Sequence, residues 1–145
     1  MKLNGAYKFQ AWSAEVFQAL LNPEVLKACI PGCKSVEYLD AENVRASITT
    51  PLPGLRGPYG ITIHIAQRQD PKFLEIKAQR KGTGGAINAV CQIELADEPE
   101  GALLTYHANA DLEGVVAIAN NPLGEGAIKR SLGSFFHNLD QSLSR

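Results

Sequence analysis

The change of hydrophobic period along the chain constrains the fold most. From Lys34 to about residue 113 apolar and polar residues alternate, which is the period of a strand with one buried face. Clusters of turn-forming residues divide this region at residues 40–43, 51–58, 70–72, 82–85 and 97–101. After residue 121 the apolar residues recur at spacings of three and four, as in an amphipathic helix. The pattern therefore predicts six strands in a meander, followed by one long helix.

The N-terminal segment predicts one more strand and two short helices. Residues 2–10 alternate in the same way as the later strands. Ser13 is the expected N-cap of a first helix, and Asn22-Pro23 supplies the cap and the first position of a second helix, which ends at Pro31-Gly32. The C-terminal helix begins with the same pair of residue types at Asn121-Pro122.

Both the sheet and the C-terminal helix have one apolar face that must be buried. A curved antiparallel sheet wrapped around the helix buries both faces at once, while the polar face of the sheet meets water. We therefore expect an α+β fold of the helix-grip type, forming a single ligand-binding domain over residues 1–145. Its seven-stranded curved antiparallel sheet wraps around the long C-terminal helix, and its two short helices follow strand one.

Composition and charge exclude several classes of protein. The formal net charge is −1, and no cluster of Lys and Arg is large enough to indicate a nucleic-acid partner. No apolar segment reaches the length of a membrane span, and the N-terminus has no apolar core of a secretion signal, so we expect a cytoplasmic protein. The odd count of 3 cysteines argues against a disulfide framework.

The sequence contains few residue patterns that indicate catalysis. The alternation places His64 and His107 on the polar face. His107 shares that face with Asn109 and Asp111, and we interpret the three as a solvated row of surface side chains rather than as an acid–base pair. Neither a nucleophile elbow nor a pair of catalytic carboxylates is evident. The glycine-rich segment 82–85 joins two strands and is a hairpin turn rather than a phosphate loop. We expect no catalytic residue.

The buried face of the sheet carries alanines where a filled core would have larger side chains, which favours a cavity between sheet and helix. The alternative is that Phe17, Tyr38 and the phenylalanines of the last helix fill this space. Tyr7, Tyr38 and Tyr106 would supply polar groups that orient a ligand. The expected cavity residues are Tyr7, Phe17, Tyr38, Ile63, Ile76, Ala89, Cys91, Tyr106, Ala108, Ala110, Ile128, Leu132, Phe135 and Phe136.

The connection at residues 51–58 is long for a link between two strands. Leu52, Leu55 and Tyr59 are apolar side chains that need something to cover, so the segment is a candidate gate at the cavity mouth. An ordinary wide turn explains the same segment equally well.

Several segments also resemble a known family. Met1–Gly5, the run Leu21–Leu26, the Cys-Ile-Pro-Gly-Cys segment at 29–33 and the pair Phe135-Phe136 are similar to the family of the carbon monoxide dehydrogenase subunit CoxG. This family lies in the START-like (helix-grip, SRPBCC) superfamily. The resemblance implies a helix-grip fold with an apolar cavity, a place beside molybdenum-containing dehydrogenases, and duties in quinone delivery and membrane recruitment.

Two functions follow as alternatives. The first is a non-catalytic carrier of a quinone-like or lipid-like ligand that serves the dehydrogenase, with peripheral contact at the cytoplasmic face of the membrane. Since no hydrophobic tail follows the last helix up to Arg145, we expect such contact to use the folded domain. The second is a START-like cyclase or hydrolase acting on an aromatic or polyketide substrate. An ionisable group inside the cavity would favour the enzyme.

The pair Cys29 and Cys33 generates a prediction about metal. A structural zinc site needs four ligands, and no second Cys or His pair at suitable spacing accompanies these two. The purified protein should therefore contain far less than one zinc per chain by elemental analysis. Stoichiometric zinc that survives dialysis against a chelator would contradict this prediction.

Overall fold

The computed structural model describes residues 1–50, 54 and 56–144. Its helices are α1 (Ser13–Leu20), α2 (Pro23–Cys29) and α3 (Pro122–Leu143), and a 3₁₀ helix covers Gly114–Ala119. The strands are β1 (Lys2–Phe9), β2 (Cys33–Tyr38), β3 (Asn43–Ile48), β4 (Tyr59–Gln69), β5 (Phe73–Gly82), β6 (Gly85–Glu98) and β7 (Gly101–Glu113).

All seven strands form one antiparallel sheet in the order β1-β7-β6-β5-β4-β3-β2. Strands β2 to β7 are a meander, in which each strand pairs with the next along the chain. β1 pairs with β7 instead, because α1 and α2 carry the chain from one edge of the sheet to the other. The predicted helix-grip architecture is confirmed.

The helix starts follow the predicted caps at two of three positions. The side-chain oxygen of Asn22 accepts from the backbone N–H of Glu24 at 3.0 Å, and that of Asn121 accepts from Gly124 at 3.0 Å. The predicted cap at Ser13 is wrong, because Ser13 is the first residue inside α1. Its N–H donates to the Asp97 carboxylate at 2.8 Å, so a residue from the end of β6 satisfies this helix end.

An aromatic cluster attaches the C-terminal half of α3 to the sheet. Phe136 is buried, and the centroid of its ring lies 5.9 Å from that of Tyr7, 6.2 Å from that of Phe9 and 5.7 Å from that of Tyr106. These separations are typical of favourable aromatic contacts. The helix is amphipathic, and in the part of the chain that the structure describes no helix is both long and apolar enough to cross a membrane.

A buried carboxylate fixes the same half of α3 by hydrogen bonds. Asp140 is only 7% exposed, and its oxygens accept from the Tyr7 hydroxyl at 3.1 Å and from the Gln10 backbone N–H at 3.1 Å. Nearby on the same helix, the Asn138 side chain donates to the carbonyl of Cys29 at the end of α2, at 3.0 Å. The helix is thus held to β1 and to α2 by specific polar contacts as well as by packing.

The close approach of Tyr106 to β1 requires a glycine, and this generates a prediction. Gly5 pairs with Tyr106, and a Cβ at Gly5 would lie 2.5 Å from the tyrosine oxygen, which the surrounding aromatic cluster keeps from moving. We expect Gly5→Ala to lower the free energy of unfolding by about 1–3 kcal/mol. Gly60→Ala in β4 is the matched control, because nothing lies within 4 Å of its added Cβ, and it should change stability by less than about 0.5 kcal/mol. Equal urea midpoints for the two variants would contradict the prediction.

Candidate ligand cavity

A row containing three alanines crosses the inner face of the sheet. Ile63, Ala78, Ala89 and Ala110 are successive partners across β4, β5, β6 and β7. Residues paired in this way point to the same face of a sheet. All four keep part of their surface accessible. A water-sized probe therefore reaches the middle of a face that the fold turns towards the helix.

Two apolar clusters flank this row, and none of its four residues belongs to either. The main core lies under the C-terminal half of α3 and includes Phe9, Phe17 and Phe136. The smaller cluster consists of Tyr59, Val116 and Ala119, with Ile61, Ile87 and Leu112 packed against it. We therefore interpret the row as the floor of a gap between two filled regions.

The gap continues towards the helix and the neighbouring row of the sheet. Ile76, Cys91 and Ala108 are paired across β5 to β7 one row nearer the main core, and they are only partly buried. On α3, Ile128, Leu132 and Phe135 touch the main core but also remain partly accessible. Side chains between two layers keep accessible surface only where space is left. The walls of that space are almost entirely apolar.

The structure brings together most of the predicted cavity residues. Those around the gap are Ile63, Ile76, Ala89, Cys91, Ala108, Ala110, Ile128, Leu132 and Phe135. Phe17, Tyr106 and Phe136 lie instead within the filled core, so the alternative that aromatic side chains occupy the interior holds for that half of the molecule. Tyr7 is engaged by Asp140 at the edge of the same core. That the residues around the gap contact a ligand stays a prediction.

Tyr38 and Tyr59 are the remaining described residues of the predicted cavity and gate. Tyr38 lies on the edge strand β2, where it continues the inner-face row through Val44 and Ile63. It is 36% exposed, and its hydroxyl donates to the carbonyl of Leu21 at 2.6 Å. Tyr59 is the buried first residue of β4 and belongs to the smaller cluster. Leu52 and Leu55 lie outside the described residues.

An arginine on the inner face, Arg80, was missed by the sequence reasoning. It lies two residues after Ala78 and pairs with Ile87, so it points to the inner face at the end of β5. Its guanidinium carbon stacks 5.0 Å from the centroid of the Tyr59 ring, and its side chain donates to the carbonyls of Gly85 and Thr83. These contacts satisfy the charge at the rim of the smaller cluster. Continued alternation beyond Ala78 was the signal that could have found it.

A second inner-face arginine, Arg68, was hidden by an irregularity of the backbone. A β-bulge between Ile65 and Gln67 shifts the register of β4, so that Arg68 pairs with the buried Leu74. The guanidinium lies 5.7 Å from the ring centroid of Phe17 and forms an ion pair with Asp70 at 2.6 Å. Hydrogen bonding from Arg68 holds the pKa of the Asp70 carboxyl below its ordinary value. Simple alternation could not reveal a bulge.

Cys91 beside the gap and Tyr106 in the adjoining core both stay neutral. Burial raises the pKa of the Cys91 thiol to about 11, and it also raises the pKa of the Tyr106 hydroxyl above its ordinary value. Both groups are therefore protonated at neutral pH. A thiol with a raised pKa is a poor nucleophile, because the thiolate is the reactive form.

The histidines lie away from the gap, as the alternation predicted for the two strand residues. Nδ1 of His64 is 3.0 Å from the side-chain oxygen of Asn43, and Nδ1 of His107 is 2.7 Å from that of Asn4, both on the outer face. His137 is exposed on α3. Among the described residues, no group of three or more His, Cys, Asp and Glu is placed to hold a metal ion.

Comparison with known proteins places the chain in a family. Residues 5–144 match the family model of the carbon monoxide dehydrogenase subunit CoxG. The chain belongs to the CoxG family. The predicted resemblance is thereby confirmed over nearly the whole chain. No curated protein matches this CoxG-family sequence.

Solved structures share the fold of this CoxG-family chain. A conserved protein from Geobacillus kaustophilus is 26% identical, with a TM-score of 0.90 over 98% of this chain and 94% of that one. A protein from Chromobacterium violaceum is 14% identical, with a TM-score of 0.79 over 99% and 97%. A protein from Mycobacterium smegmatis is 17% identical, with a TM-score of 0.75 over 99% and 90%. The last two show the fold alone.

The gap in this CoxG-family chain generates a packing prediction. Ala89 lies in the gap, whereas Ala46 on β3 faces the same side of the sheet but is only 1% exposed. Ala46→Phe should lower the free energy of unfolding by about 1–3 kcal/mol or more, because no space receives the ring. Ala89→Phe should cost clearly less, since the ring enters space that already exists. Urea denaturation of both variants tests this, and an Ala89→Phe protein as unstable as Ala46→Phe would mean that no gap exists.

Proposed function

We propose that this protein is a non-catalytic carrier that binds an apolar, quinone-like or lipid-like molecule in the gap between the sheet and α3. The observation that supports it best is the row Ile63, Ala78, Ala89 and Ala110, whose three alanines leave accessible apolar surface between two filled clusters. Close packing is the normal state of a protein interior, and ligand sites are mostly apolar concavities.

The chemistry of the walls favours binding over catalysis. A general acid or base needs a pKa near the working pH, and both Cys91 beside the gap and Tyr106 in the adjoining core have raised pKa values. The buried Asp140 is engaged by the Tyr7 hydroxyl and the Gln10 N–H. These features weigh against a START-like cyclase or hydrolase. A neutral thiol beside the gap suits an apolar ligand that needs few polar contacts for orientation.

Family membership supports an accessory role to carbon monoxide dehydrogenase. Oxidation of carbon monoxide with one water molecule to carbon dioxide releases a pair of electrons and a pair of protons, which a quinone takes up on reduction to the quinol. A carrier that holds a quinone in an apolar gap would connect such a dehydrogenase with a quinone pool. We propose this partnership, with contact at the cytoplasmic face of the membrane, as the setting in which the gap operates.

Calorimetric titration with a short-chain, water-soluble quinone tests the carrier function. The parent should show saturable binding, and Ala89→Phe should weaken it at least tenfold because the ring occupies the gap. Val90→Phe is the matched control, since Val90 is the next residue on β6 and points to the outer face. It should bind like the parent.

Two outcomes would contradict the proposal. One is a parent that takes up neither the quinone nor, by native mass spectrometry after expression, any lipid-like molecule. The other is an Ala89→Phe variant that binds the quinone as well as Val90→Phe does, since the site would then lie outside the gap.

A further inference from the structure

A cleft lies between the edge strand β1 and the first half of α3. Its volume is about 330 Å³, which is within the range of small-molecule sites. Leu3 lines it from β1, Pro122 and Gly126 line it from the helix, and the charged residues Lys2, Glu125 and Lys129 complete its walls. We call this space the side cleft. It lies at an open edge of the sheet, because β1 has a neighbouring strand on one side only.

The helix is attached on both sides of the side cleft but not across it. At its start, a Cβ at Gly124 would lie 1.9 Å from the carbonyl oxygen of Ala119, so the first turn of α3 packs on the 3₁₀ helix. In its C-terminal half, Asp140 accepts from the Tyr7 hydroxyl and the Gln10 N–H. Between these two points, no hydrogen bond or ion pair among the described residues joins α3 to β1.

The charged side chains of the side cleft leave it open. Lys2 lies on the strand and Glu125 on the helix, so an ion pair between them would tie the two walls together. Neither Lys2 nor Lys129 forms an ion pair with Glu125 in the part of the chain that the structure describes. Both lysines are exposed, and such long side chains keep their charged ends in water.

Gly126 has no packing reason to be a glycine. A glycine inside a helix costs about 1 kcal/mol relative to alanine. An added Cβ at Gly126 would have one neighbour within 4 Å outside the helix backbone, a guanidinium nitrogen of Arg130 at 3.4 Å, and Arg130 lies one turn further along the same helix. No atom of β1 lies that close. The missing side chain therefore widens the side cleft.

The side cleft meets the gap at Leu3. Leu3 pairs with Ala108, and Ala108 pairs with Cys91 in the row next to the three alanines. Ala108 and Cys91 both keep accessible surface. On the helix, Ile128 beside the gap follows Gly126 by two positions. One row of the inner face thus begins at the wall of the side cleft and continues along the gap.

We propose that the ligand enters and leaves the gap through the side cleft, between β1 and the first half of α3, with Gly126 setting the width of the passage. This inference rests on the proposed carrier function, because it names the path by which the carried molecule exchanges. A carrier must release what it binds. The main core and the smaller cluster are filled, so neither end of the gap supplies an opening for an apolar ring.

A Gly126→Trp variant tests the passage, because the indole fills the side cleft and leaves the gap unchanged. Blocking a passage slows entry and exit by the same factor, so the association and dissociation rates should each fall about tenfold or more while Kd stays within about twofold. The probe is duroquinone, whose fully substituted ring does not add to thiols. Exchange spectroscopy by NMR measures both rates.

Gly133→Trp is the matched control. Gly133 is also a glycine of α3, nothing lies within 4 Å of an added Cβ, and it does not line the side cleft. This variant should exchange duroquinone like the parent. Circular dichroism and thermal midpoints verify that both variants are folded. If Gly126→Trp unfolds, Lys129→Trp blocks the same cleft from an exposed position, and Arg130→Trp on the next residue is its control.

Cys91 reports access to the gap without any ligand. In a protein with Cys29→Ala and Cys33→Ser, Cys91 is the one remaining thiol. Mass spectrometry follows its reaction with methyl methanethiosulfonate. Adding Gly126→Trp should slow this reaction about tenfold or more, and adding Gly133→Trp should not, because the reactivity of the thiol itself is the same in both proteins.

The outcomes separate this inference from the proposed function. Where the parent binds duroquinone, unchanged exchange rates in Gly126→Trp would overturn the side cleft as the passage and leave the carrier intact. A loss of affinity with faster dissociation would also overturn it, since the cleft would then be part of the binding site. Where the parent binds no quinone, the carrier is refuted and the Cys91 reaction decides: slower reaction in Gly126→Trp supports the passage, and an unchanged rate overturns it.

Discussion

The attachment of α3 at its C-terminal half is the constraint on which the rest of the structure depends. Phe136 packs among Tyr7, Phe9 and Tyr106, and Asp140 accepts hydrogen bonds from β1 and the residue after it. Removing such a carboxylate would leave buried donors without partners, which typically costs about 1–3 kcal/mol. Among the described residues, no side-chain hydrogen bond joins the first half of α3 to a central strand, whereas its start packs on Ala119 of the 3₁₀ helix.

The gap follows from that arrangement and from the size of a few side chains. The main core is filled where the helix is attached, and the smaller cluster is filled where the 3₁₀ helix covers Tyr59. Between them, the alanines at positions 78, 89 and 110 keep accessible surface, as do Ile128 and Leu132 on the helix. The interior is thus less closely packed along the alanine row. The aromatic core and the buried carboxylate stabilise the fold at the C-terminal half of α3.

Two arginines lie at the ends of the inner face of the sheet, and each has partners for its charge. Arg80 stacks on Tyr59 and donates to backbone carbonyls, and Arg68 stacks on Phe17 and pairs with Asp70. Stacking lets a guanidinium lie on an apolar face while its N–H groups find acceptors. The two arginines therefore border the apolar region at opposite ends of the sheet without bringing an unpaired charge into it.

The sequence alone determined the order of the elements, the two Asn-Pro helix starts, the outward facing of His64 and His107 and the alanine row, because these depend on local period and cap chemistry. It could not determine that Asp97 satisfies the start of α1, that a bulge turns Arg68 inward, or that Phe136 fills the core while Ala89 faces a gap. Those features depend on groups far apart in the chain and on the distance at which α3 is held from the sheet. Only the tertiary structure decides such distances, since they result from the packing of all layers at once.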